Sequence, residues 1–177
     1  MAIRPVVKMG NAQLATPSLP VKQFATNALR SLLVDMQDTM KEKGGIGIAA
    51  PQIGVNLRVV IFGFEKSERY PDAKPIPFTV LINPVIEVLS QEQEEGWEGC
   101  LSVPGLRGLV PRFTKIRYRG FDADGRPIDV TAEGFHARVV QHECDHLDGI
   151  LFPQRVKDLR HFGFEDELGE MAKSTPD

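Results

Sequence analysis

Residues 134–149 read GFHARVVQHECDHLDG, and this stretch organises the rest of the chain. Its apolar residues recur at helical spacing, which predicts a helix over 134–147 that Gly149 and Pro153 end. On such a helix, residues four apart share a face, so His142 and His146 can present two imidazoles to one ion. Glu143 is offset by about 100° and falls beside that ion, where a base acting on metal-activated water belongs. Cys144 lies about 200° around the helix and is read as a buried structural residue. Phe135, Arg138 and Val139 share the face of the two histidines. The bland alternative is a surface helix with two solvated histidines.

A catalytic metal site needs a third protein ligand. The metzincin pattern would place a histidine six residues after His146, but Phe152 stands there. Glu165 or Glu167 could serve in a general metallopeptidase, although the segment around Pro153 and Phe162–Phe164 does not read as a helix presenting them. Cys100, in Glu98-Gly99-Cys100-Leu101-Ser102, is the other candidate, since a thiolate binds borderline and soft divalent ions well. A closed structural site in a non-catalytic protein would use four protein ligands, and only three are evident. His136 and His161 lack ligand spacing.

Working outward, Phe24, Ala28, Leu29, Leu32, Leu33, Met36 and Met40 predict a helix over 21–43, stopped at Gly44-Gly45 and packed on the core. Residues 57–64 read as a buried strand, 65–77 as a polar loop, and 78–82 and 85–89 as strands broken at Asn83-Pro84. Residues 115–121 and 127–132 alternate across a turn at Asp122–Gly125. Strands in the middle with flanking helices and short connections make an α+β pattern with antiparallel pairing.

The 177 residues, 42% of them hydrophobic, suit one domain spanning 1–177. A net charge of −3 gives no broad field for nucleic acid, and no sequence-specific nucleic-acid binding is expected. No apolar run approaches the roughly 18–20 residues of a membrane span, and the first residues lack a signal-peptide core. The expectation is a cytoplasmic protein or a mature organellar one, monomeric, with Cys100 and Cys144 reduced.

Three segments together resemble the peptide deformylase family: Gly45-Ile46-Gly47-Ile48-Ala49-Ala50-Pro51-Gln52, Glu98–Ser102, and Gln141–Gly149. Trp97 and Val103–Gly108 are similar to the type I subclass with organellar and some bacterial members. The resemblance implies antiparallel sheets around a central helix carrying the histidines, with an N-terminal helix. It implies Cys100, His142 and His146 as ligands of iron(II), with zinc, nickel or cobalt in isolated protein. It implies removal of the formyl group from the N-terminal formyl-methionine of nascent chains. Glu143 would be the base, and Gln52 and the Leu101 N–H would hold the oxyanion, whereas alone Gln52 reads as a polar turn residue after Pro51.

Gly45 and Gly47 leave backbone open for an extended peptide to pair as an added strand. Ile46, Gly47, Glu98, Gly99, Arg107, Phe135, Arg138 and Val139 are candidates to contact it, and the Arg138 stem could pack while its head reaches water. Asp145 could pair with Arg112, either bracing the site or as a plain surface ion pair. The tail at 165–177 carries Glu165, Asp166, Glu167, Glu170 and Asp177 against Lys173, so any ribosome contact is expected to be transient and not driven by this segment.

Overall fold

A computed structural model describes residues 2–66, 70 and 72–169. The fold is α+β. Helix α1 (Asn27–Glu42) leads into strands β1 (Gly47–Ala49) and β2 (Val59–Phe64), joined through a 3-10 turn at Ala50–Ile53. Then come β3 (Ile76–Val88), β4 (Gln93–Cys100), β5 (Val103–Phe113), β6 (Lys115–Phe121) and β7 (Pro127–Glu133). Helix α2 (Gly134–Leu147) follows, and short β8 (Phe162–Phe164) and the single turn α3 (Glu165–Leu168) complete the described chain. From residue 170 onward the acidic tail lies outside the described residues.

The strands form a five-stranded sheet in the order β1-β2-β3-β6-β7 and a three-stranded sheet in the order β4-β5-β8, antiparallel throughout. Helix α2 packs against the larger sheet. Ala137, Val140, Cys144 and Leu147 recur on its buried side and meet Val60, Phe62, Leu81, Ile116 and Tyr118. Each buried valine, leucine, isoleucine or phenylalanine among them contributes about 1.5–3 kcal/mol by leaving water. The helix stops at Gly149, whose φ of 74° is left-handed, and a Cβ there would run into the Ala15 backbone. The opposite face of the sheet packs α1 through Leu29, Met36 and Met40 against Ile48, Val59 and Ile61, with Ile53 of the 3-10 turn beside them. Among the described residues, no helix is long and apolar enough to cross a membrane.

Three expectations are corrected. The first helix starts at Asn27, not at 21: Thr26 caps it by accepting the Leu29 N–H at 3.1 Å, and Ala25 at φ 56° breaks any continuation backwards. Phe24 continues the apolar stripe from outside the helix and packs on the Phe121 ring, centroids 5.3 Å apart. Asn83-Pro84 does not divide two strands. It is a bulge within β3, where Asn83 sits at φ 51° and its side chain bonds both the N–H and the carbonyl of Val21 at 2.9 Å. Finally, β2 begins at Val59, because Leu57 forms an isolated parallel bridge with Leu19 instead.

Candidate metal centre

Two elements bring the ligand atoms together. Helix α2 carries the His142 and His146 rings one turn apart, edge to face with centroids 5.0 Å apart. Strand β4 ends at Cys100, where the β4–β5 register slips. The Cys100 Sγ lies 3.4 Å from His146 Nε2, and the ligand atoms of Cys100, His142 and His146 all lie within 4.8 Å of one another. The donor set fits a divalent ion. Two N–H groups, Gln52 Nε2 and the Ser102 backbone, donate to the sulfur at 3.4 Å. Burial, helped by the cationic neighbours His142 and Arg112, holds the His146 ring well below its ordinary pKa and hence neutral. Sulfur and two imidazoles suit zinc and the softer divalent ions and leave a position open for water.

Glu143 is buried beside these residues, and its Oε2 has no hydrogen-bond partner among the described residues. Burial raises its carboxyl to about 7. Gly47 of β1 makes the room, since a Cβ there would collide with the Glu143 carboxylate. Gln52, on the 3-10 turn, is aimed by its own main chain: Oε1 accepts from the Ala49 N–H at 2.8 Å, and Nε2 faces Cys100 and the Ser102 hydroxyl at 3.1 Å. Gly45, Ile46 and Leu101 line the same pocket, opposite Phe135 and Val139 of α2. Such a pocket can hold an extended chain against β1, which pairs only with β2 among the described residues, with one side chain sunk between Ile46 and Phe135.

Residues 3–162 match the family model described as polypeptide deformylase. The chain belongs to the polypeptide deformylase family. It removes the N-formyl group from nascent polypeptides. The chain is 63% identical over 166 residues to peptide deformylase 1 of Nitrosomonas europaea and 61% identical over 166 residues to peptide deformylase 2 of Ralstonia nicotianae, covering 94% of each chain in both comparisons. A class I type b peptide deformylase from Acinetobacter baumannii, crystallised with Met-Ala-Ser bound, superposes with a TM-score of 0.85 at 41% identity, over 88% of this chain and 99% of that one.

Several pocket residues of the deformylase behave otherwise than their sequence positions suggest. Glu98 borders the pocket, and its carboxylate is taken up by neighbouring side chains. It is held by Arg112 at 2.8 and 2.9 Å, by Arg138 at 3.0 Å and by His142 Nδ1 at 2.8 Å. Burial pushes its pKa up, but the field and hydrogen bonds of Arg112, with those of His142, outweigh that and hold it far below the usual range. The Arg138 head does not reach water. It is buried and donates to the carbonyls of Val110 at 2.7 Å, Glu94 at 2.7 Å and Gly96 at 3.4 Å. Arg107 stands just beyond the lining of this pocket. It borders a neighbouring groove with Lys8, Lys43 and Glu165, and its guanidinium lies 5.2 Å from the Tyr70 ring centroid.

Tyr70 carries no signal in sequence beyond being an aromatic residue in a polar loop. It lines the pocket and packs on Phe135, with centroids 4.9 Å apart. Asp145 takes the bracing role: Arg112 reaches it at 2.6 Å in a buried contact, and Arg155, which spacing did not suggest, adds a second bond at 2.7 Å. Cys144 faces the core, where burial raises its thiol pKa. Glu165 pairs with Arg107 at 3.7 Å and stands apart from the ligand cluster, so the general metallopeptidase arrangement gains nothing from it.

Proposed function

We propose that formamide hydrolysis takes place where the Cys100 sulfur meets the His142 and His146 rings, with Glu143 carrying the proton. The observation that supports this is the convergence of three ligand atoms within 4.8 Å beside a buried carboxylate with one oxygen unpartnered among the described residues. A divalent ion held there, iron(II) in our reading with zinc, nickel or cobalt as substitutes, would acidify a water and polarise the formyl oxygen. Glu143 takes the proton of the attacking water and hands it to the amide nitrogen as the C–N bond breaks, leaving formate and a free amine. Gln52 Nε2 and the Leu101 N–H are neutral donors for the oxyanion, each worth about 2.7–4 kcal/mol in the transition state.

The formyl-methionine side chain enters between Ile46, Tyr70, Phe135 and Val139, with the Arg138 stem as floor. Gly45–Gly47 pair with the peptide backbone, and Gly99 closes the opposite side. Backbone pairing reads no side chain, which suits an enzyme that meets many nascent chains. That the Acinetobacter relative was crystallised with Met-Ala-Ser supports a short peptide as the ligand class.

We take residues 1–177 as one catalytic unit, a cytoplasmic monomer that touches the ribosome only transiently. The free thiols of Cys100 and Cys144 suit a reducing compartment. The test is formate release from formyl-Met peptides by wild type, Cys100→Ser and Glu143→Ala, with internal cleavage of unformylated peptides as control. Release by wild type alone, with Glu143→Ala still holding its ion, is the expected result. Full activity in Cys100→Ser would remove the sulfur from the site.

A further inference from the structure

The ligands come from two separate elements. Helix α2 supplies the imidazoles and β4 supplies the sulfur, so something must set the distance between helix and strand. Arg138 sits one helical turn before His142, and its side chain crosses to β4. Its guanidinium donates to the Glu94 and Gly96 carbonyls of the strand that ends at Cys100, to the Val110 carbonyl of β5, and to Glu98 Oε1. Glu98 in turn accepts from His142 Nδ1, which leaves that ring's Nε2 for the ion.

Residue 96 belongs to the same device. A Cβ at Gly96 would lie 2.6 Å from the Arg138 Cζ, so the guanidinium occupies the volume that a side chain would otherwise fill. The close fit of Arg138 over Gly96 makes the two positions interdependent. Arg112 also holds Glu98, but through side chains only, and it reaches α2 at Asp145, on the far side of His142.

We propose that Arg138, seated over Gly96, is a positioning residue that fastens α2 to β4 and thereby fixes the Cys100 sulfur against the His142 and His146 rings. This rests on the reading of those residues as the metal site. Arginine suits the task because its planar fork serves several acceptors at once, which a lysine ammonium of different geometry does less completely. The role concerns the lifetime of the bound ion and not the chemistry itself.

The test loads full-length protein with cobalt(II) and follows loss of the cobalt–thiolate absorption after adding excess chelator. Arg138→Met and Gly96→Ala are each expected to release cobalt about 10-fold faster or more, in line with the affinity lost when groups supporting metal ligands are removed. Arg138→Lys falls between them and wild type. The double variant releases no faster than the quicker single variant, because both changes break one fastening. Should Arg138→Met fail to fold, Gly96→Ala decides alone. Release at the wild-type rate in Gly96→Ala and Arg138→Met, even with lowered melting temperature, would reduce Arg138 to a structural residue and overturn the proposal. So would singles whose effects multiply in the double variant. Cobalt absorption that persists in Cys100→Ser would instead bring down the metal-site reading beneath it.

Discussion

Glu143 shows how one position is shaped from several sides. It follows a candidate ligand, it is buried, and Gly47 is kept bare to admit it. Glu143→Ala should lower kcat about 10²–10⁴-fold, the usual share of a general acid–base, while elemental analysis still finds the ion. Gly47→Ala should lower kcat by displacing the same carboxylate, without changing the ligands. His136 gives a pH test away from the metal site. Burial lowers its pKa below 6.5, and its ring contacts the Tyr118 hydroxyl at 3.3 Å. The unfolded chain then binds more protons than the folded one between the lowered value and about 6.5. Stability from the neutral ring is therefore complete above about 6.5 and is lost as pH falls through the folded value. The melting temperature of wild type minus that of His136→Gln should shrink as pH drops from about 7.5 to about 5. A constant difference would show that the ring does not titrate on unfolding.

Elements differed in how openly the sequence declared them. Helix α2 was legible to its ends because its apolar spacing, its histidine pair and Gly149 agree. The β6–β7 hairpin was legible from alternation across Asp122–Gly125. Strands β4 and β5 were not, since QEEGWEGC and VPGLRGLVPRF carry glycines, prolines and charges where alternation should be. Their charges make sense only once folded. The sequence suggests the Arg112–Asp145 pair, but that Arg112 of β5 also grips Glu98 of β4, and that the network is buried, leaves no local trace. The same holds for Arg138, whose acceptors are mainly backbone carbonyls, and for Arg107 in its adjoining groove. Arg112→Met leaves two buried carboxylates short of their cation and should cost about 3–5 kcal/mol in denaturant unfolding. A loss below about 1 kcal/mol, typical of exposed pairs, would mean that the network is hydrated in solution.

At the scale of the whole molecule, α2 packs on the larger sheet and its histidines meet Cys100 of the smaller one, so the candidate ligand cluster draws on both layers. An ion bound only by the folded state stabilises it by about 2.7 kcal/mol at a free concentration of 100 Kd. Stripping it with a chelator should lower the melting temperature of wild type and leave that of Cys100→Ser unmoved. The most direct measurement is the absorption spectrum of the cobalt(II)-loaded protein. A sulfur-to-cobalt charge-transfer band should appear in wild type, persist in Cys144→Ser and vanish in Cys100→Ser. A band that survives the loss of Cys100, or disappears with Cys144, would contradict the site described here.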